Sequence, residues 1–150
     1  MHRLSWFTGV LVSGIVVMIT GCAERTGSSG PATSLYDRLG GKEAITAVVD
    51  QFVANVAADA RINGRFAATD IPKLKRHLVD QVCMATGGPC TYTGRDMKTA
   101  HAGMKITNAD FDALVEDLIG ALKKFNVPEG EQKELLALLG PMKKEIVEVP

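Results

Sequence analysis

Apolar residues recur at steps of three and four through most of the second two-thirds of this chain, and no stretch alternates as a half-buried strand does. A spacing of three and four residues lines up side chains on one face of an α-helix. Ile45, Val48, Val49, Phe52, Val53 and Val56 define one such face after Gly40-Gly41. Leu74, His77, Leu78, Gln81 and Val82 share another, with Lys73, Lys75, Arg76 and Asp80 turned elsewhere. Asp70 is placed to cap that helix, and Pro72 fits its first turn, where a missing N–H matters little. Met97, Ala100, His101 and Met104 mark a shorter helix. Thr107-Asn108-Ala109-Asp110 reads as a capping box with Asp in place of Glu, opening the stripe Phe111, Leu114, Val115, Leu118, Ile119 and Leu122. Leu135, Leu138, Leu139, Met142 and Ile146 form the last stripe, which Gly140-Pro141 is expected to kink. The pattern predicts an all-α domain of four substantial helices and one short one around a single core.

The N-terminal part has a different character. Arg3 is followed by an uncharged run from Leu4 to Thr20 that ends in Ile19-Thr20-Gly21-Cys22. Small residues before a cysteine resemble the lipobox of bacterial lipoproteins, in which the Cys becomes the lipid-bearing first residue. An ordinary secretory signal or a short membrane anchor is the alternative. The resemblance implies a lipoprotein signal peptide over 1–21, membrane attachment through lipid on Cys22, and export to the periplasmic face of a membrane. Ala23, rather than Asp, after the cysteine favours the outer membrane. Residues 22–34, rich in Gly, Ser, Thr and Pro, bury too little apolar surface to order themselves and read as a flexible tether. The folded domain is then 35–150.

With Cys22 acylated, Cys83 and Cys90 remain. Disulfides persist in an exported domain, and Thr86-Gly87-Gly88-Pro89 is a turn-forming stretch able to bring the two sulfurs together; two free thiols are the alternative. Neither a CxxC motif nor the CxxCH of covalent heme attachment occurs. Lys+Arg and Asp+Glu number 17 each, so there is no net basic charge to favour nucleic acid as a partner.

His77 and His101 sit on otherwise apolar faces. Either alone is explained by a hydrogen-bonded core histidine. Two on neighbouring helices, separated by a Gly-rich loop, point to a cofactor between the helices, since neutral imidazole is a good iron ligand. Leu35-Tyr36-Asp37-Arg38-Leu39-Gly40-Gly41, Gly87-Gly88-Pro89, Tyr92-Thr93-Gly94-Arg95-Asp96-Met97 and Ala100-His101-Ala102-Gly103 together resemble the group I truncated hemoglobins, over roughly Leu35 to Val147. The resemblance implies a two-over-two helical sandwich around heme b, with His101 as proximal iron ligand, Phe66 packed on the porphyrin, and Phe52 and Met97 among the residues around it. Lys73, Arg76, Arg95 and Lys98 become candidates for the heme propionates.

The chain departs from that family on the distal side. Where relatives carry Tyr and Gln as donors to a bound gas, it has Val53 and Leu78, and Leu74 is apolar as well. A hydrogen bond contributes about 0.5–1.5 kcal/mol between neutral groups and about 1.5–3 kcal/mol to a charged one, so its loss favours fast dioxygen release. His77 matches a position that supplies a second iron ligand in some relatives, and Gln81 lies one turn further on. The leading expectation is reversible binding of O2, NO or CO in an open apolar pocket. The alternatives are a bis-His electron-transfer protein served by an unidentified electron donor, an NO dioxygenase or weak peroxidase, which the missing donors disfavour, and a heme-free helical adaptor.

Overall fold

The computed structural model describes residues 33–150. The signal-peptide reading, Cys22 and all of the tether except Thr33 and Ser34 therefore lie outside the described residues; Ser34, read as the end of the tether, instead caps the first helix, its hydroxyl accepting the Asp37 N–H at 3.1 Å. Helices α1 (Leu35–Arg38), α2 (Gly41–Ala58), α3 (Ile71–Ala85), α4 (Met97–His101), α5 (Asn108–Lys124), α6 (Glu129–Leu139) and α7 (Lys143–Ile146) follow in order, with 3₁₀ turns at Asn63–Phe66 and Gly140–Met142. Among the described residues there is no strand, only an isolated parallel bridge between Thr107 and Val149. No described helix is long and apolar enough to cross a membrane.

Local chemistry sets the helix boundaries. The Asp70 carboxylate accepts the Lys73 N–H at 3.0 Å, and Pro72 occupies the first turn of α3. Thr107 and Asp110 form the reciprocal capping box that starts α5. The Asp110 carboxylate accepts both the N–H and the hydroxyl of Thr107 and pairs with Arg65, which together hold its pKa down at about 2. Pro141 interrupts the last stripe, so α6 passes through a 3₁₀ turn into α7 instead of continuing.

Helix α2 is the central element and packs against both α3 and α5. Its Ile45, Val49, Phe52, Val53 and Val56 join Val79 and Cys83 of α3 and Ala113 and Ala121 of α5 in one buried cluster. A smaller cluster of Leu35, Leu122 and Leu135 ties α1 and α6 to the end of α5. Arg38 of α1 adds ion pairs to Glu131 and Glu134 of α6.

The loop from α3 to α4 has little regular structure but is tightly anchored. A disulfide joins Cys83, inside α3, to Cys90 in the loop. The Gly88 N–H donates to the Cys83 carbonyl at 2.8 Å, and the Tyr36 N–H donates to the Thr86 carbonyl at 2.9 Å. Gly88 is packed so closely that a Cβ there would come within 2.4 Å of the Tyr36 ring and 2.7 Å of the Cys83 sulfur.

Candidate functional site

Where α2, α3, α4 and α5 converge with the 3₁₀ turn, they line a partly open cavity of about 200 Å³. Phe52, Val53, Val56 and Ala57 line it from α2, Ile71, Leu74 and Leu78 from α3, Phe66 from the 3₁₀ turn, Leu114 from α5 and His101 from α4. Among the described residues, His101 is the one polar side chain in an otherwise hydrocarbon wall.

That imidazole is set up by its own helix. His101 Nδ1 lies 2.7 Å from the Met97 carbonyl oxygen, one turn back. A carbonyl only accepts, so Nδ1 carries the proton and donates, and in the neutral ring Nε2 keeps its lone pair. A backbone carbonyl on the remote nitrogen is the arrangement that orients a metal-binding histidine. The N-terminus of α4 is fixed by Asp96, whose carboxylate accepts the Thr99 N–H at 2.9 Å and is held below the usual carboxylate range by that bond. An apolar slot with one imidazole lone pair suits a flat, largely hydrocarbon cofactor that carries a metal.

Of the cofactor-contacting residues expected from sequence, Phe52, Val53, Phe66, Leu74, Leu78 and His101 come together around the cavity, whereas His77 and Met97 stand outside its lining. The His77 ring rests edge-on against Tyr92, with centroids 5.9 Å apart. Burial pushes the Tyr92 phenol pKa up, and its hydroxyl donates to the Arg95 carbonyl at 2.8 Å. Met97 contributes its carbonyl to His101 and turns its sulfur to the Gln81 amide, which lies 3.6 Å from it and 3.4 Å from the Met142 sulfur. Gln81 is thereby directed to two thioethers and is not part of the cavity wall. Lys73, Arg76, Arg95 and Lys98 are exposed, and none pairs with a carboxylate among the described residues.

The sequence reading missed four wall residues as site residues. Val56 and Leu114 belong to stripes already read as core faces. Ile71 precedes Leu74 by three residues and Leu78 by seven, and Ala57 follows Val53 by four, so helical spacing carried the signal.

Comparison with known proteins gives a consistent result. Residues 34–148 match the bacterial-like globin family. Group 1 truncated hemoglobin GlbN of Mycolicibacterium paratuberculosis is 39% identical over 113 residues, covering 75% of this chain and 83% of that protein. The group 1 truncated hemoglobin of Tetrahymena pyriformis is 33% identical over 114 residues, covering 76% of this chain and 94% of that protein. The crystal structure of the Tetrahymena pyriformis protein in its Fe(III) form superposes with a TM-score of 0.74 at 33% identity, over 77% of this chain and 98% of that one. The 2/2 hemoglobin of a Synechococcus species, solved with covalently attached heme, superposes with a TM-score of 0.72 at 33% identity, over 77% and 98%. A cavity framed by four helices, an oriented histidine on its wall and this similarity along nearly all of the described residues converge, and the chain belongs to the bacterial-like globins, among the group 1 truncated hemoglobins, with their 2/2 helical fold.

Proposed function

We propose that this chain holds heme b in the cavity through His101 and reversibly binds a diatomic gas, O2, NO or CO. The observation that carries the reading is His101 itself. Among the described residues it is the only polar side chain of the wall, and its Nδ1 proton is committed to the Met97 carbonyl, so Nε2 of the neutral ring is left as a ligand. The residues present fit the group: Phe52, Phe66, Leu74, Leu78 and Leu114 offer apolar and aromatic surface to a porphyrin. Lys73, Arg76, Arg95 and Lys98 are exposed cations of the kind that meets propionates. Bound heme would supply an iron able to take up a gas, and everything else follows from the chain's own side chains.

Val53, Leu74 and Leu78 offer no proton donor to a ligand. This favours an open pocket with fast gas exchange. It disfavours NO dioxygenation or peroxidase chemistry, which need positioned donors where charge develops. His77 rests on Tyr92 and not in the wall, which speaks against a bis-His electron-transfer site. The test is the absorption spectrum of the purified protein. A Soret band with a ferrous five-coordinate spectrum is expected, and His101→Ala should lose most of the heme or change the coordination spectrum. Unchanged heme content and coordination in that variant would overturn the assignment.

We further infer that the domain 35–150 is displayed on the periplasmic face of a membrane, by Ala23 the outer one, through lipid on Cys22 and a tether over 22–34, after removal of 1–21. Support comes from the uncharged run Leu4 to Thr20 ending at Gly21-Cys22. A Cys83–Cys90 disulfide fits the oxidising side of that membrane. Cys22→Ser should release the domain from membranes or leave an unprocessed precursor. A soluble wild type beginning at another residue would remove this reading. Turnover of the iron's redox state would need an electron donor.

A further inference from the structure

The loop that leaves α4 is held by a residue from the far end of the chain. His101 is the last residue of α4, and at Ala102 (φ −55°, ψ 126°) the backbone turns out of the helix. Gly103 and Lys105 then adopt positive φ, 80° and 54°. The Gly103 N–H donates to Glu148 Oε1 at 2.7 Å, and the Lys105 N–H donates to Glu148 Oε2 at 2.6 Å. Left-handed residues in a turn point neighbouring amides to one side and create a seat for an anion. Here the anion is the chain's own carboxylate, and those two N–H groups hold its pKa below the usual range. The backbone returns the contact, since the N–H groups of Glu148 and Val149 both donate to the Ile106 carbonyl, at 2.9 and 3.0 Å. From the other side, Arg65 Nη1 donates to the Met104 carbonyl at 3.0 Å while Nη2 pairs with Asp110 at 2.6 Å. Lys105 is a non-glycine residue in the left-handed region, a conformation that persists only where surrounding contacts over-determine it.

Helix α4 cannot supply this order itself. It has five residues and none of them is buried, and a helix so short is unstable without tertiary support. Asp96 fixes its beginning; the Gly103–Ile106 loop must fix its end. We propose that Glu148 is a positioning residue for His101, seating its carboxylate on the Gly103 and Lys105 amides so that the end of α4, and with it the reach and rotation of the imidazole, is set by the C-terminal strap.

The inference rests on His101 being the iron ligand, so the experiment separates the two. The full heme-loaded chain is compared with Glu148→Ala and the milder Glu148→Gln, which keeps one acceptor oxygen should the first fold poorly. Three quantities are read: the iron–histidine stretching mode of the ferrous, ligand-free protein, hydrogen exchange at the Gly103 and Lys105 amides, and the rate of heme transfer to apomyoglobin. Loss of the strap should raise exchange at both amides, shift or broaden the iron–histidine mode, and speed heme release by about tenfold, the factor that corresponds to about 1.4 kcal/mol. Glu148→Gln should show the same changes to a smaller degree. Faster amide exchange with an unmoved mode and unchanged heme release would mean that Glu148 only pins the tail, and would overturn the inference alone. Absence of the iron–histidine mode in a wild type whose ferrous spectrum is five-coordinate would overturn the ligand assignment and the inference with it.

Discussion

Val53→Tyr should convert the apolar pocket into one that retains dioxygen. Val53 is only 8% exposed and lines the cavity with Leu74 and Leu78, none of which can donate a hydrogen bond. A phenol hydroxyl at this wall adds one donor to a ligand that carries negative charge when bound. Hydrogen bonds to charged groups contribute about 1.5–3 kcal/mol. At about 1.4 kcal/mol per tenfold, dioxygen release should slow by about 10- to 150-fold. Enlarging a buried side chain usually destabilises by about 1–3 kcal/mol, a cost that Val53→Phe shares. The assay is stopped-flow replacement of dioxygen by excess CO on the reduced protein, with Val53→Phe as the control that adds the ring without the hydroxyl. CO carries little charge when bound, so its own release should differ little between the two variants. Equal dioxygen release from Val53→Tyr and Val53→Phe would refute the donor argument.

Asp110 titrates at about 2 in the folded chain against an ordinary 3.8. A depressed carboxylate pKa stabilises the fold above the ordinary value, and that contribution is lost as pH falls through the folded value. Asp110→Asn should therefore lower stability to urea at neutral pH and converge with wild type as pH approaches 2; parallel pH–stability curves would remove this account. His77→Ala should leave the ferrous spectrum and CO association unchanged, because the His77 ring packs on Tyr92; loss of a six-coordinate species in this variant would restore the bis-His reading. Mass spectrometry of the native protein should find Cys83 and Cys90 joined. Replacing both by Ser should cost about 2–3 kcal/mol by the chain-entropy argument for a short loop, measured by urea denaturation.

Much of this architecture was legible because it is local. The stripes on α2, α3 and α5 follow a helical period, and Asp70, Thr107 and Asp110 cap through bonds that span three residues. The interruption at Gly140-Pro141 needs only proline's missing N–H. His101 was legible from an apolar helix face and a family motif. His77 lies outside the cavity lining for a geometric reason: three residues after Leu74 is about 60° around the helix, at about 100° per residue. The Leu74–Leu78 row faces the cavity, while the His77–Gln81 row meets Tyr92 and the two methionine sulfurs. The Glu148 clasp was invisible because its partners lie 45 and 43 residues away and are backbone amides, which carry no side-chain signature.

The absence of any buried residue in α4 or α7 has a consequence for the order in which the molecule assembles and comes apart. The clusters built on α2, α3 and α5, and on α1 and α6, hold the fully buried side chains, so they form the cooperative unit whose opening requires global unfolding. The segment that presents His101 belongs to the low-stability end of the same chain. Without cofactor it should open locally at temperatures where the rest stays folded. With cofactor it gains a packing partner, and by mass action its stability rises with heme concentration. Heme should then act as the missing piece of core for the proximal side, and its departure is expected to be the first event of denaturation.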